Sequence, residues 1–159
     1  MKSKPPESGL LEAKGKNGQR IFYQYSCDQQ IEDYDEKTMW CFQIANDDGV
    51  FDFHLVDEDS LMRVEMMTRN DCELFKARGI AEAFIRLSSQ IFKIDICSSS
   101  RARPQPSTSR IESVAEQHSD GARKVWQGLV DSKESHYDNC TQRFVYPYKN
   151  REEVDGDGR

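Results

Sequence analysis

The stretch that decides the fold is Leu61-Met62-Arg63-Val64-Glu65-Met66-Met67-Thr68, followed after a short link by Lys76-Ala77-Arg78-Gly79-Ile80-Ala81. The first eight residues alternate, with Met62, Val64 and Met66 on one side and Arg63, Glu65 and Met67 on the other, so they predict a strand. From Ile80 the period changes: Ile80, Phe84, Leu87 and Ile91 recur at helical spacing while Glu82, Arg86 and Gln90 fall outside the stripe, which predicts a helix over 80–91. A strand, a loop with small residues and then a helix make a natural anion site, because the first helical turn leaves N–H groups unpaired and its dipole favours negative charge. Ala77, Gly79 and Ala81 are small enough for a ligand to reach the backbone, and Lys76 and Arg78 add cationic donors. The plain alternative is a helix start that happens to contain glycine.

Upstream, the aromatic and β-branched runs 21–25, 38–44 and 50–56 read as strands, and Asn46-Asp47-Asp48-Gly49 joins the second and third as a hairpin. Downstream, 92–97 alternates as a short strand. The Ser/Arg/Pro-rich segment 98–109 reads as a mobile loop. Ala122, Val125, Trp126, Leu129 and Val130 form a second helical stripe, traceable back through Ile111, Val114, Ala115 and His118, with a kink or break expected at Gly121. A last strand over 142–146 ends at Pro147. The expectation is an α/β (α+β) fold with a mixed, mostly antiparallel sheet. It comprises a flexible tail over 1–18, a single domain over 19–148 and a second flexible tail over 149–159.

Of 159 residues, 31% are charged and 36% hydrophobic, enough for one core with polar ends. Twenty-eight Asp and Glu against 22 Lys and Arg give a net charge of -6, which disfavours general nucleic-acid binding and suits a basic partner or a cationic substrate. Five scattered cysteines without Cys-x-x-Cys spacing argue against a disulfide framework or a metal site. With no apolar run of membrane-spanning length and no signal-peptide core, the expected location is cytoplasmic.

The loop resembles the acetyl-CoA pyrophosphate motif of the GNAT superfamily of N-acyltransferases: Gln or Arg, two residues, Gly, one residue, then Gly or Ala. Lys76, Gly79 and Ala81 fill those positions, with Phe75 as the aromatic before them. Lys in place of Gln or Arg departs from the pattern. The order of elements matches the family as well, so the resemblance implies a GNAT-like fold over about 21–146, carried most specifically by 61–96.

It implies acetyl-CoA or another acyl-CoA as cofactor, and a primary amine of a protein or small molecule as acceptor. Backbone groups of Met66, Met67 and Thr68 would pair with the pantetheine arm where the fourth family strand splays from the fifth. The loop Lys76, Ala77, Arg78, Gly79, Ile80 and Ala81 would hold the pyrophosphate. Direct attack of the amine on the thioester needs a proton acceptor. Glu65 is the first candidate, unless it merely pairs with Arg63, and His54, sharing a face with Asp52, is the second. The family tyrosine four residues beyond a helix alanine is replaced here by Trp126, counted from Ala122, so Tyr137 stands as the nearest substitute acid. Ser119 or Asp120 stands where the family has an asparagine. The two helices that the family inserts after its first strand are absent, leaving a short acidic connection and an open acceptor side. A homo-oligomer is compatible with this layout. The competing reading is a non-enzymatic acidic protein that recognises or neutralises a basic partner.

Overall fold

A computed structural model describes residues 4–31, 36–99 and 113–149, with the backbone alone for 113–120. The loop expected over 98–109 therefore lies almost wholly outside the described residues, as does the expected tail over 149–159 from residue 150 onward. The strands are β1 (Ser8–Lys14), β2 (Arg20–Ile31), β3 (Thr38–Asn46), β4 (Gly49–Asp57), β5 (Leu61–Thr68), β6 (Asp95–Cys97), β7 (His136–Asp138) and β8 (Arg143–Tyr146). A 3-10 turn, Glu73–Phe75, precedes helix α1 (Ile80–Phe92), and α2 spans Ser113–Asp131. The class is mixed α/β, and its one sheet runs in the order β1-β2-β3-β4-β5-β6-β8-β7.

Three expectations shift. Residues 8–14, placed in a flexible tail by composition, pair along their whole length with β2 and bury Leu11 and Ala13. The strand expected over 92–97 shrinks to Asp95–Cys97, because α1 runs on to a buried Phe92 and is closed by Lys93 in the left-handed region at φ 54°. Helix α2 runs unbroken through Gly121.

The core lies between one face of the sheet and α1. Phe84, with no exposure, meets Tyr25, Phe42, Phe51 and Phe53, its ring stacking on Phe53 at 5.2 Å between centroids. Helix α2 sits on the same face through Trp126, which stacks on Phe144 of β8 at 6.1 Å, and Leu129 joins it. Apolar residues at helical spacing thus meet the alternate residues of the strands that point the same way. No described helix packs on the opposite face of the sheet. Residues 32–37 join β2 to β3.

Every pair in the sheet is antiparallel except β5 with β6. That parallel contact lasts only from Leu61↔Asp95 to Arg63↔Cys97. Beyond Arg63, β5 continues to Thr68 with β4 as its one described neighbour.

Candidate functional site

The regular alternation expected for β5 breaks at Glu65. Leu55 pairs with Val64 but His54 pairs with Met66, so Glu65 is the extra residue of a β-bulge. Met66 is thereby turned to the helix-free face, 38% exposed, and Met67 packs against the core instead. Glu65 keeps the side that alternation gives it, the helix-free face, with Arg63, whose guanidinium donates to it and also lies 3.9 Å from Glu58. The alternative role of Glu65 as an ion-paired carboxylate is therefore realised in this arrangement.

His54 stands on that face too, within the electrostatic reach of Asp52 and Glu65. Partial burial pulls its pKa below the ordinary histidine value, and the two carboxylates only partly offset this. Among the described residues Asp52 makes no hydrogen bond to the imidazole. Its carboxylate accepts from Gln43 at 2.9 Å and from Asn70 at 3.0 Å. Tyr137 is elsewhere: it packs edge-on against Phe144 at 5.0 Å, on the helix-covered face at the far edge of the sheet. The two candidate bases are brought together, and the candidate acid is not.

From Thr68 the chain passes beneath the β3–β4 turn, where the Cys72 thiol donates to the Asp48 carbonyl at 3.1 Å. Phe75 then wedges between Tyr23 and Phe51, at 5.8 and 6.3 Å, which anchors the residues that follow. Ala77 at φ 58° and Gly79 at φ 72° bring the chain into α1, whose N-terminal cap Gly79 has no side chain to satisfy the first amides.

This loop rests on the β1–β2 turn. The Lys16 N–H donates to the Ala77 carbonyl at 3.3 Å, and Arg78 donates to the Leu74 carbonyl and to the Gln19 side chain, each at 3.2 Å. A Cβ on Gly79 would come 2.1 Å from the Lys14 carbonyl oxygen. Sequence reasoning missed this hairpin, and its signal was the alternation of Leu11 and Ala13 among polar residues. Lys14 and Lys16 on the hairpin and Lys76 on the loop thus belong to backbone segments that touch. The loop meets β1, whereas Met66, Met67 and Thr68 lie on β5, four interstrand steps away, or roughly 19 Å across a flat sheet.

No cysteine in the sheet is primed as a nucleophile. Burial pushes the Cys27 thiol up to about 12, and burial also raises Cys41 and Cys97. Among the described residues no three His, Cys, Asp or Glu come together as metal ligands, and no helix is long and apolar enough to cross a membrane. Comparison with known proteins finds no family model, no curated protein and no solved structure that matches this chain.

Proposed function

We propose that this chain is an acyl-CoA-binding domain of GNAT-like layout that acts as an N-acyltransferase. The observation that carries the reading is the short parallel contact of β5 with β6: after Arg63↔Cys97 the strands part, leaving the β5 backbone from Val64 to Thr68 without a described neighbour on that side. Such free backbone donors and acceptors need partners, and the amide-rich pantetheine arm is a fitting one. The first amides of α1, uncapped by any side chain, with Lys76 beside them, suit a pyrophosphate.

The cofactor, acetyl-CoA or another acyl-CoA, would supply the activated acyl group. The chain's own residues position the acceptor amine on the helix-free face. For an amine attacking the thioester, Glu65 would accept the proton that the nitrogen loses, with His54 beside it as the second base. Tyr137, on the other face, takes no part, so the departing thiolate is protonated from solvent. The acceptor is a primary amine of a protein or small molecule, and a cytoplasmic location belongs to this reading.

A second reading has its own support. Gly79 and Arg78 are both accounted for by contacts with the β1–β2 hairpin, and the loop lies at the opposite side of β2, β3 and β4 from β5. On that ground the domain would be a non-enzymatic acidic protein that binds a basic partner. Calorimetry with acetyl-CoA on the folded chain separates the two: saturable binding supports the first, and its absence at millimolar cofactor leaves the second.

A further inference from the structure

The helix-free face beside the β5–β6 divergence carries an arginine with no acidic partner among the described residues. Arg143 begins β8, and because Phe144 points to Trp126 on the helix side, Arg143 faces the other way, with Cys97. Among the described residues its Nη1 reaches only the Cys97 sulfur, at 3.9 Å, and its Nε–H is shut off from water with no acceptor. Its register partner in β7 is Asp138, whose carboxylate is committed to the Cys140 N–H and the Thr141 hydroxyl, each at 3.0 Å. Burial raises the Cys97 pKa, so the thiol is not a counter-ion. A buried guanidinium N–H without an acceptor is costly and calls for an explanation.

The same molecule shows what such a group does when an acid is at hand. Arg86 offers its Nε and Nη2 side by side to Glu134, at 2.6 and 2.9 Å, in a two-pronged grip. Arg143 has that same edge unused. It lies one strand beyond β6, and the β6 residue Cys97 pairs with Arg63 on β5, two residues before Glu65. The free edge therefore belongs to the face on which the candidate base stands.

We propose that Arg143 binds a carboxylate carried by the acceptor, so that the acceptor is an amine bearing its own carboxylate, such as a free amino acid or a short peptide. This deepens the acyl-transfer reading and rests on it. Arg143 is only partly buried, so the arriving carboxylate can turn the guanidinium and engage both Nε and Nη2. Held there, it would leave the amine directed back toward Glu65.

The test uses the full chain and two readouts. The Nε–H resonance of Arg143, identified by its loss in Arg143→Lys, is followed while N-acetylglycine or its amide is titrated in. A saturable shift with the carboxylate and none with the amide is expected, and no shift with either overturns the site. In acyl transfer from acetyl-CoA, free amino acids should show a KM about ten-fold below that of their amides. Arg143→Gln should erase that difference by raising the KM of the carboxylate form alone, with acetyl-CoA affinity unchanged. An equal preference in wild type and Arg143→Gln overturns the inference even where transfer itself is observed. Failure of acetyl-CoA to bind removes the acyl-transfer reading and with it Arg143 as an acceptor site. The resonance then shows separately whether Arg143 holds a carboxylate.

Discussion

The carbonyl oxygen of Lys14 lies against the α-carbon of Gly79, so close that a Cβ there would sit 2.1 Å from it. Gly79 is also in the left-handed region at φ 72°. Two reasons thus demand glycine, and neither involves a ligand. Gly79→Ala is expected to destabilise the domain by about 2–4 kcal/mol, read as a lower urea midpoint. Unchanged stability would mean that the β1–β2 hairpin does not seat on this loop. A loss of cofactor binding in that variant says nothing of phosphate contact until its folding has been measured.

Phe84 is the residue on which four aromatic side chains from three strands converge. Phe84→Ala removes a wholly buried ring and opens a cavity that rigid strands cannot close, so a loss of about 3–5 kcal/mol is expected in denaturant unfolding. A loss below about 1 kcal/mol would contradict the packing of α1 on β2, β3 and β4.

Arg86 and Glu134 tie α1 to the segment after α2. The bidentate hydrogen bond from Arg86 holds the Glu134 carboxyl below the usual glutamate value. A folded-state pKa lower than the unfolded one means that the unfolded chain binds the proton more readily. The contribution is thus complete above the unfolded value near 4.5 and is lost as pH falls through the folded one. Both side chains keep contact with solvent, so the expected size is only about 1 kcal/mol. Glu134→Gln should lower stability by that amount at neutral pH and flatten the decline on acidification. Identical pH profiles for the two proteins would refute the pairing.

His54 is expected to titrate below 6.5, since its partial burial outweighs Asp52 and Glu65. Glu65→Gln removes one of the groups that favours the imidazolium, so the His54 midpoint should fall further, as followed by imidazole proton resonances against pH. A midpoint that does not move separates the two side chains and removes the paired-base arrangement. Because the folded pKa is the lower one, His54 contributes most above 6.5 and costs stability as pH falls below it.

Long runs with clear periodicity were legible: β3, β4, β5 and α1 fall where alternation and helical spacing put them. The bulge was not, because one extra residue leaves the pattern of 61–68 looking regular while reversing Met66 and Met67. The first strand was hidden by its flanks, since Lys, Pro, Ser and Gly around Leu11 and Ala13 read as a tail until β2 supplies the partner. For the candidate site, the sequence led to the loop, Glu65 and His54. Which face each residue occupies depends on pairing across strands, so the separation of Tyr137 from Glu65, and the isolation of Arg143 beside Cys97, needed the folded arrangement.

The most direct measurement of the central claim is isothermal calorimetry of the folded chain with acetyl-CoA. Saturable binding at one site per chain is expected, weakened when Lys76 is replaced by Glu and unaffected by Arg143→Gln. A folded protein that gives no heat of binding at millimolar acetyl-CoA would contradict it.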